Sequence, residues 1–146
     1  MYLVISLNEQ RFALPLEVVT EIFLASPPRA AIRAPFGCLG LVEVRGAMVP
    51  LLDLATLLGL RRPLSKAAAG AEYLRRSIVL THLQGSALCL LVDDVVDVLD
   101  DSALAEEGAP VVAHGERGQL IDLAEVVAPV RRRLLARVSL SQPESR

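Results

Sequence analysis

The clearest structural pattern in the chain is residues 39–59, which read LGLVEVRGAMVPLLDLATLLG. Two β-rich runs, LGLVEV and AMVPLL, are separated by Arg45-Gly46. Glycine permits the positive φ that a tight turn needs, so the two runs predict a β-hairpin. Asp53 then precedes the apolar run LATLLG. This arrangement predicts a short helix with Asp53 as its N-cap and Gly59 as its stop.

Similar short apolar runs occur on both sides of this pattern, in two pairs. The first pair surrounds the polar turn Asn8-Glu9-Gln10 and the second surrounds Gln84-Gly85, so each predicts another hairpin. The pairs are residues 2–7 with 11–16, and residues 77–83 with 86–92. Between the first two hairpins, residues 17–24 predict a turn leading into a strand, and the proline-containing residues 25–37 predict a loop.

The pattern of a strand, an aspartate and a short helix occurs twice. LLDLATLL at 51–58 is echoed by LIDLAEVV at 120–127, which suggests two related halves. Residues 130–138 predict a separate terminal helix, and residues 139–146 are expected to fray. Short strands at regular spacing, punctuated by glycine, predict an all-β fold of small barrels rather than a parallel α/β sheet.

Composition excludes several classes of protein. Hydrophobic residues make up 53% of the 146 residues, which is enough for a packed core and argues against disorder. The net charge of −2 and the aromatic content of 3% predict neither an electrostatic attraction to nucleic acid nor a base-stacking platform. The N-terminus does not resemble a signal peptide, and no run of about 18 apolar residues lacks a charge, so we expect a cytoplasmic protein without membrane insertion.

The residues expected of an enzyme are missing from the sequence. There is no phosphate-binding loop, no dinucleotide motif and no zinc-ligand spacing, so we predict no catalytic residue, no metal and no cofactor. His82 lies in an apolar run and is expected to be a partnered structural histidine, whereas His114 is expected to be solvated. Cys38 and Cys89 are isolated, which favours buried free thiols. A small enzyme on a β-barrel and a nucleic-acid-binding barrel remain alternatives.

An acidic segment follows the third hairpin. Residues 93–107 contain seven acidic and no basic side chains. One interpretation is a solvated strand edge whose charge prevents aggregation, and the other is a surface that meets a basic partner. The acidic residues are Asp93, Asp94, Asp97, Asp100, Asp101, Glu106 and Glu107. The arginines that could balance them are Arg131, Arg132, Arg133 and Arg137.

Taken in order, these motifs resemble the CheW-like family of bacterial chemotaxis coupling proteins. The resemblance covers roughly residues 1–128 and is strongest at 40–59, which fits G-x-x-x-x-RG-x-x-x-P-x-x-DL without a gap. The family resemblance implies two small SH3-like β-barrels with short helices and a hydrophobic groove between them. It also implies a non-enzymatic adaptor that connects the cytoplasmic tip of a methyl-accepting receptor to the regulatory domain of a CheA-type histidine kinase.

The resemblance also implies which residues contact partners. The receptor's helical hairpin is expected in the groove, and another CheW-like protein is a further possible partner. From the residues alone, Arg45 could equally be tied internally to Glu21 or Glu43, and Val19 and Ile22 could be core residues. The residues expected to bind partners are Val19, Glu21, Ile22, Gly40, Leu41, Val44, Arg45, Gly46, Val95 and Val98.

The chain departs from the family pattern in its second half. Residues 99–120 are short, because members of the family usually have an additional strand and hairpin there; shortened coupling proteins of the FrzB type are similar in this respect. We expect one domain over 1–138, with a first barrel region at 1–64, a connector at 65–74, a shortened second region at 75–138 and a tail at 139–146. The short segment suggests an alternative function, an accessory protein that binds the receptor but not the kinase.

Overall fold

The computed structural model describes residues 1–29, 34–62, 73, 75–100, 110–113 and 116–141. Within them the chain forms β-strands, a 3-10 turn at Leu16–Val18 and two helices. In chain order these are β1 (Tyr2–Leu7), β2 (Gln10–Pro15), β3 (Val19–Leu24), β4 (Cys38–Val44), β5 (Ala47–Asp53), α1 (Leu54–Leu57), β6 (Ser77–Leu83), β7 (Ser86–Val92), β8 (Asp94–Leu99), β9 (Pro110–Ala113), β10 (Glu116–Leu120) and α2 (Leu123–Ser141).

The strands form two sheets of five. Sheet 1 has the order β8-β1-β2-β10-β9, and sheet 2 has the order β3-β6-β7-β5-β4. Each sheet therefore takes strands from both sides of the predicted connector at 65–74. The predicted division of the chain into a first region and a second region does not follow the sheets, because chain order and spatial order differ.

The three predicted hairpins are confirmed as β1–β2, β4–β5 and β6–β7. Their turn residues adopt the left-handed backbone that tight hairpin turns require, with φ of 48° at Arg45 and 84° at Gly46. Pro15 ends β2, where its missing N–H removes no hydrogen bond from the middle of a strand. The turn and strand predicted for 17–24 are also confirmed, as the 3-10 turn and β3.

Sheet 2 curls until its two edges meet. Past the end of β3, Arg29 forms an isolated bridge with Leu41 of β4 through two backbone hydrogen bonds of 2.8 and 2.9 Å. We call this bridge the barrel seam, since it joins the continuation of one edge strand to the other edge strand. Gly40 lies beside the seam with φ of +143°, and a Cβ there would lie 2.2 Å from the Arg29 carbonyl oxygen. The close approach at the barrel seam therefore requires glycine.

Two apolar cores explain why the strands of sheet 2 read as continuous apolar runs. One core lies between the sheets and combines Leu3 and Ile5 of sheet 1 with Val79 and Leu90 of sheet 2. The other lies within the curl of sheet 2 and includes Leu91. Neighbouring residues of β7 point to opposite faces, so both faces of this strand are buried.

The two strand–aspartate–helix motifs have matching surroundings. The strand β5 pairs in parallel with β7 and leads to α1, and β10 pairs in parallel with β2 and leads to α2. The structure thus supports the predicted relation between the halves. The two aspartates differ, however: Asp122 accepts the Glu125 N–H at 3.2 Å, whereas Asp53 caps no backbone N–H. Asp53 therefore occupies the predicted N-cap position of α1, but its side chain does not make the capping hydrogen bond.

The terminal helix differs from the prediction. A separate helix over 130–138 was expected, but α2 runs without a break from Leu123 to Ser141 and contains Pro129. Burial of Leu123, Val127 and Val130 against the core between the sheets outweighs the hydrogen bond that Pro129 removes. Residues 142–146 of the predicted frayed tail lie outside the described residues.

Several smaller expectations concern single side chains. Cys89 is buried, and burial raises the pKa of its thiol to about 11, whereas Cys38 is half-buried rather than buried. His82 is partnered, with Nδ1 2.6 Å from the Thr20 hydroxyl, but it is exposed. His114 and the acidic residues from Asp101 to Glu107 lie outside the described residues.

Candidate functional site

The residues predicted to bind partners lie on three strands and one turn. The strand β3 carries Val19, Glu21 and Ile22, and β8 carries Val95 and Val98. These two strands are edges of different sheets. The remaining predicted residues lie on β4 and in the β4–β5 turn; they are Gly40, Leu41, Val44, Arg45 and Gly46.

The exposed apolar residues of β3 and β8 face the core between the sheets. Ile22 pairs with Val79, and Val98 pairs with Leu3, and both partners are buried in that core. Paired residues of antiparallel strands lie on the same face, so Ile22 and Val98 point the same way as their partners. Because β3 and β8 are edge strands, Ile22 remains 42% exposed and Val98 44% exposed.

The end of β3 and the start of β8 lie near each other, separated by β6 and β7. Leu24 at the end of β3 pairs with Ser77, and Ser77 pairs with Val92 at the end of β7. Two residues after Val92, at Asp94, the chain enters β8. The exposed apolar residues of β3 and β8 therefore border the same region between the sheets. We call this set the apolar margin; it consists of Val19, Ile22, Leu24, Val95 and Val98.

Sequence reasoning identified four residues of the apolar margin and missed Leu24. The prediction that Val19 or Ile22 stays partly exposed is confirmed, since Val19 packs partly on the core and Ile22 does not. Leu24 is 81% exposed and lies two residues after Ile22, on the same face of β3. The alternation of Ile22 and Leu24 was the available signal.

Arg45 forms an ion pair with Glu21. Its Nη2 lies 2.5 Å from Glu21 Oε2, while the side chains remain 69% and 41% exposed. Of the two internal partners that the sequence allows for Arg45, the structure shows Glu21. Glu43 instead pairs with Arg29, with 4.0 Å between Arg29 Nη2 and Glu43 Oε2. A guanidinium has five N–H donors, so an exposed Arg45 keeps donors for a second acceptor. The pair also ties the β4–β5 turn to β3.

The other predicted residues of β4 and its turn have structural roles. Gly40 and Leu41 form the barrel seam with Arg29, and Val44 packs against the core within sheet 2. Gly46 supplies the positive φ of the turn, and a Cβ there would meet nothing within 4 Å. These residues support the position of Arg45 and are not members of the apolar margin.

A partly buried ionic network, which sequence reasoning missed, lies where the chain passes from sheet 2 to sheet 1. Asp93 follows β7, and its Oδ1 accepts hydrogen bonds from Arg61 at 2.8 Å and Arg76 at 3.0 Å. Its Oδ2 accepts the Asn8 backbone N–H at 2.6 Å. Arg61 also donates to Oδ1 of the fully buried Asp53 at 2.8 Å. We call these five residues, Asn8, Asp53, Arg61, Arg76 and Asp93, the junction.

The junction changes the interpretation of the acidic segment. Asp93 was grouped with solvated acids, but its side chain is only 25% exposed and is neutralised by two arginines. Asp94, by contrast, is exposed and accepts a hydrogen bond from the N–H of Val95. The sequence could not separate these neighbours, because the partners of Asp93 lie 17, 32 and 85 residues away.

We expect the stability contributed by Asp93 to depend on pH. Burial opposes its ionisation, but hydrogen bonds from Asn8, Arg76 and Arg61 and the charge of Arg61 outweigh burial and lower its pKa. Its contribution is therefore complete above the pKa of an unfolded aspartate, about 4, and is lost as the pH falls through the lower folded pKa. Urea unfolding of wild type and Asp93→Asn measures this.

The difference in unfolding free energy between these two proteins should be largest near neutral pH and should shrink below about pH 4. Asp94→Asn is the matched control, since Asp94 is exposed and lies outside the junction, where its carboxylate accepts the N–H of Val95. A difference that stays constant from pH 7 to pH 3 contradicts the ionic role of Asp93.

Neither a cluster of metal ligands nor a membrane-spanning helix is found among the described residues. Within the part of the chain that the structure describes, no three histidine, cysteine or acidic side chains converge as metal ligands. In the same residues, no helix is both long and apolar enough to cross a bilayer.

Comparisons with known proteins agree with this architecture. A family model described as the CheW-like domain matches residues 1–129. A probable chemotaxis protein CheW of Rhizobium etli is 32% identical over 93 residues, covering 64% of this chain and 56% of the relative. A chemotaxis protein CheW of Rhizobium meliloti is 28% identical over 106 residues, covering 73% of this chain and 64% of the relative. The chain thus spans about three fifths of the length of these relatives.

A solved structure shows the same fold. The crystal structure of the scaffolding protein TtCheW from Thermoanaerobacter tengcongensis superposes with a TM-score of 0.67. The match covers 86% of this chain and 90% of that protein, at 20% sequence identity. At this level of identity the likeness establishes the fold, and it agrees with the all-β class predicted from the spacing of the strands.

Proposed function

Because the chain belongs to the CheW-like domain family, we propose that it is a non-enzymatic adaptor that couples methyl-accepting receptors to a CheA-type histidine kinase. In this proposal the protein acts in the cytoplasm, where the receptor's helical tip lies in the apolar margin. The kinase regulatory domain, or another CheW-like protein, binds a barrel end.

The observation that carries the proposal is the apolar margin itself. Three large apolar side chains, Ile22, Leu24 and Val98, remain exposed on the edge strands β3 and β8, on the faces that border the core between the sheets. Contiguous exposed apolar surface typically marks a binding site, and an amphipathic helix presents matching residues at a spacing of three and four. The exposed Arg45–Glu21 pair joins the β4–β5 turn to β3 on the face opposite to Ile22, where the Arg45 guanidinium can donate to a second acceptor on a partner.

A second candidate function is an accessory protein that binds the receptor but not the kinase. The observation that favours it is the short strand β9, whose four residues, Pro110–Ala113, form the free edge of sheet 1. A short edge offers few backbone groups to a partner. The expectation that this half has fewer strands than relatives, with weakened kinase binding, therefore remains a prediction.

Titration calorimetry tests both candidates. One titration uses a helical-hairpin fragment from a receptor tip, and the other uses a kinase regulatory domain. Binding of both supports the adaptor, and binding of the receptor fragment alone supports the accessory protein. An absence of binding to the receptor fragment overturns both.

The first variant to titrate is Ile22→Glu. A charge in the apolar margin must be desolvated when a helix covers it, so we expect receptor binding to weaken by about tenfold or more. Met48→Glu is the matched control, because Met48 on β5 is 41% exposed against 42% for Ile22 and lies outside the apolar margin. Equal effects of the two variants would contradict the assignment of the margin.

Replacing Arg45 tests the polar part of the site. The Arg45–Glu21 pair is exposed, so Arg45→Ala should change the free energy of unfolding by only about 0–1 kcal/mol. We expect weaker partner binding in the same variant, since the donors of the guanidinium are lost. Thermal unfolding and calorimetry on the same sample measure the two effects. A variant that unfolds would show that Arg45 is structural and would refute a binding role.

A further inference from the structure

The two carboxylate oxygens of Asp93 are divided between the two sheets. Oδ2 accepts the N–H of Asn8, in the β1–β2 turn of sheet 1. Oδ1 accepts from Arg76, which directly precedes β6 of sheet 2, and from Arg61, which follows α1. The backbone N–H of Asp93 also donates to Ser6 of β1 at 3.0 Å. One residue therefore holds both sheets at the point where the chain crosses between them.

A second connection reinforces the first. The Asn8 side-chain amide donates to the Leu60 carbonyl at 2.8 Å. Arg61, the next residue, joins Asp93 to Asp53, which ends β5 of sheet 2 and is fully buried. The β1–β2 turn is thus attached to sheet 2 through a carboxylate and through an amide. Two separate attachments restrain the rotation of the two sheets relative to each other as well as their separation.

The junction lies at the end of the apolar margin. Ala25, which follows β3, donates its N–H to the Arg76 carbonyl at 2.9 Å. On the other side, Asp93 is followed directly by β8. A strand rises about 3.3 Å per residue, so Val98 lies about 17 Å from Asp93 along β8. At that distance, a rotation of about 5° between the sheets moves Val98 by about 1.5 Å.

Apolar packing alone does not fix such an angle. Contacts between the sheets involve aliphatic side chains, whose attraction is non-directional and tolerates small rotations. Hydrogen bonds to charged groups are short and directional, and buried ionic groups can select one arrangement among several that pack similarly. The junction supplies this directional restraint at the crossing point.

We propose that the junction fixes the angle between the two sheets, so that Asp93 is a positioning residue for the apolar margin. The expected effect on partner binding rests on the proposed function, whereas the effect on the angle between the sheets does not depend on it. Loss of the Asp93 charge leaves each sheet folded and allows the sheets to rotate against each other. The width of the margin then varies, and a helix that fits one width binds more weakly.

Residual dipolar couplings measured on the full chain test the structural content. In wild type, one alignment tensor is expected to fit the amides of both sheets. In Asp93→Asn, the couplings of each sheet should still fit an alignment tensor of their own, but a single tensor should fit the couplings of both sheets poorly. Asp94→Asn, at the exposed neighbouring residue, should behave as wild type. Arg76→Gln, which removes the Arg76 hydrogen bond to Asp93 and leaves that of Arg61 in place, is a second and milder variant.

Calorimetry with the receptor-tip fragment tests the consequence. Asp93→Asn should bind about tenfold more weakly than wild type, a size typical of coupling between separate sites. If wild type binds no receptor fragment, the proposed function fails while the dipolar couplings still decide the role of the junction. If Asp93→Asn keeps one common tensor, the inference is overturned whatever the binding result. If both Asp93→Asn and Arg76→Gln unfold, the junction is needed for folding rather than orientation, which also overturns it.

Discussion

Replacing Gly40 with alanine is expected to destabilise the protein by about 3 kcal/mol or more, or to prevent it from folding. Two independent effects add at this position. The φ of +143° is a backbone conformation that side chains other than glycine rarely adopt, and a Cβ would lie 2.2 Å from the Arg29 carbonyl oxygen. That oxygen is backbone and accepts the Leu41 N–H, so it cannot move without breaking the barrel seam.

The second glycine of the same hairpin provides the control. Gly46 also has a positive φ, of +84°, but a Cβ there would meet nothing within 4 Å. Gly46→Ala should therefore cost only about 1 kcal/mol, from the backbone conformation alone. Urea unfolding of both variants and wild type measures the difference. Equal losses would mean that the barrel seam does not depend on the close approach at Gly40.

The fold was predictable where the signals are local. Each hairpin is encoded by a turn and its two neighbours, such as Arg45-Gly46 between β4 and β5. Such patterns depend on the positive φ of two adjacent residues and need no knowledge of the rest of the chain. The assignment of strands to sheets was not predictable in this way. The parallel pairings β5–β7 and β2–β10 join segments that are far apart in sequence.

The residues of the candidate site also divide into those that the sequence predicted and those that depend on distant parts of the chain. Ile22 and Val98 were predicted from family resemblance, and the burial of their pairing partners explains why they face the core between the sheets. The junction was missed because its members are separated by other elements and because Asp93 lies in an acidic run. A charge run normally indicates a solvated surface, and only the approach of Arg61 and Arg76 distinguishes Asp93.

The helix α2 illustrates how packing overrides a local signal. Pro129 lacks an N–H and normally ends or kinks a helix. Yet three apolar residues on one side of α2, Leu123, Val127 and Val130, are buried between the sheets. Arg131 in addition donates to the Gln84 carbonyl at 2.9 Å, which fastens the helix to the β6–β7 turn. These contacts lie on both sides of Pro129, and the sequence did not reveal them.

The largest loss outside the barrel seam is expected for Arg61→Met. Asp53 is fully buried, and its carboxylate has two described partners, Arg61 at 2.8 Å and the Thr56 hydroxyl at 2.9 Å. Removing the guanidinium leaves a buried carboxylate with one neutral donor. Breaking a buried ion pair in this way typically costs about 3–5 kcal/mol, most of it the cost of the uncompensated charge.

The neighbouring arginine distinguishes a specific effect from a general loss of charge. Arg62 is exposed, so Arg62→Met should change the free energy of unfolding by no more than about 0.5 kcal/mol. The double variant Asp53→Asn with Arg61→Met removes the uncompensated charge. Its loss of unfolding free energy should be smaller than the sum of the losses in the two single variants, because residues in direct contact do not behave additively. Chemical unfolding at neutral pH measures the change in the free energy of unfolding for each of these variants. If Arg61→Met costs no more than Arg62→Met, Asp53 is compensated without Arg61, and the ionic account of the junction is wrong.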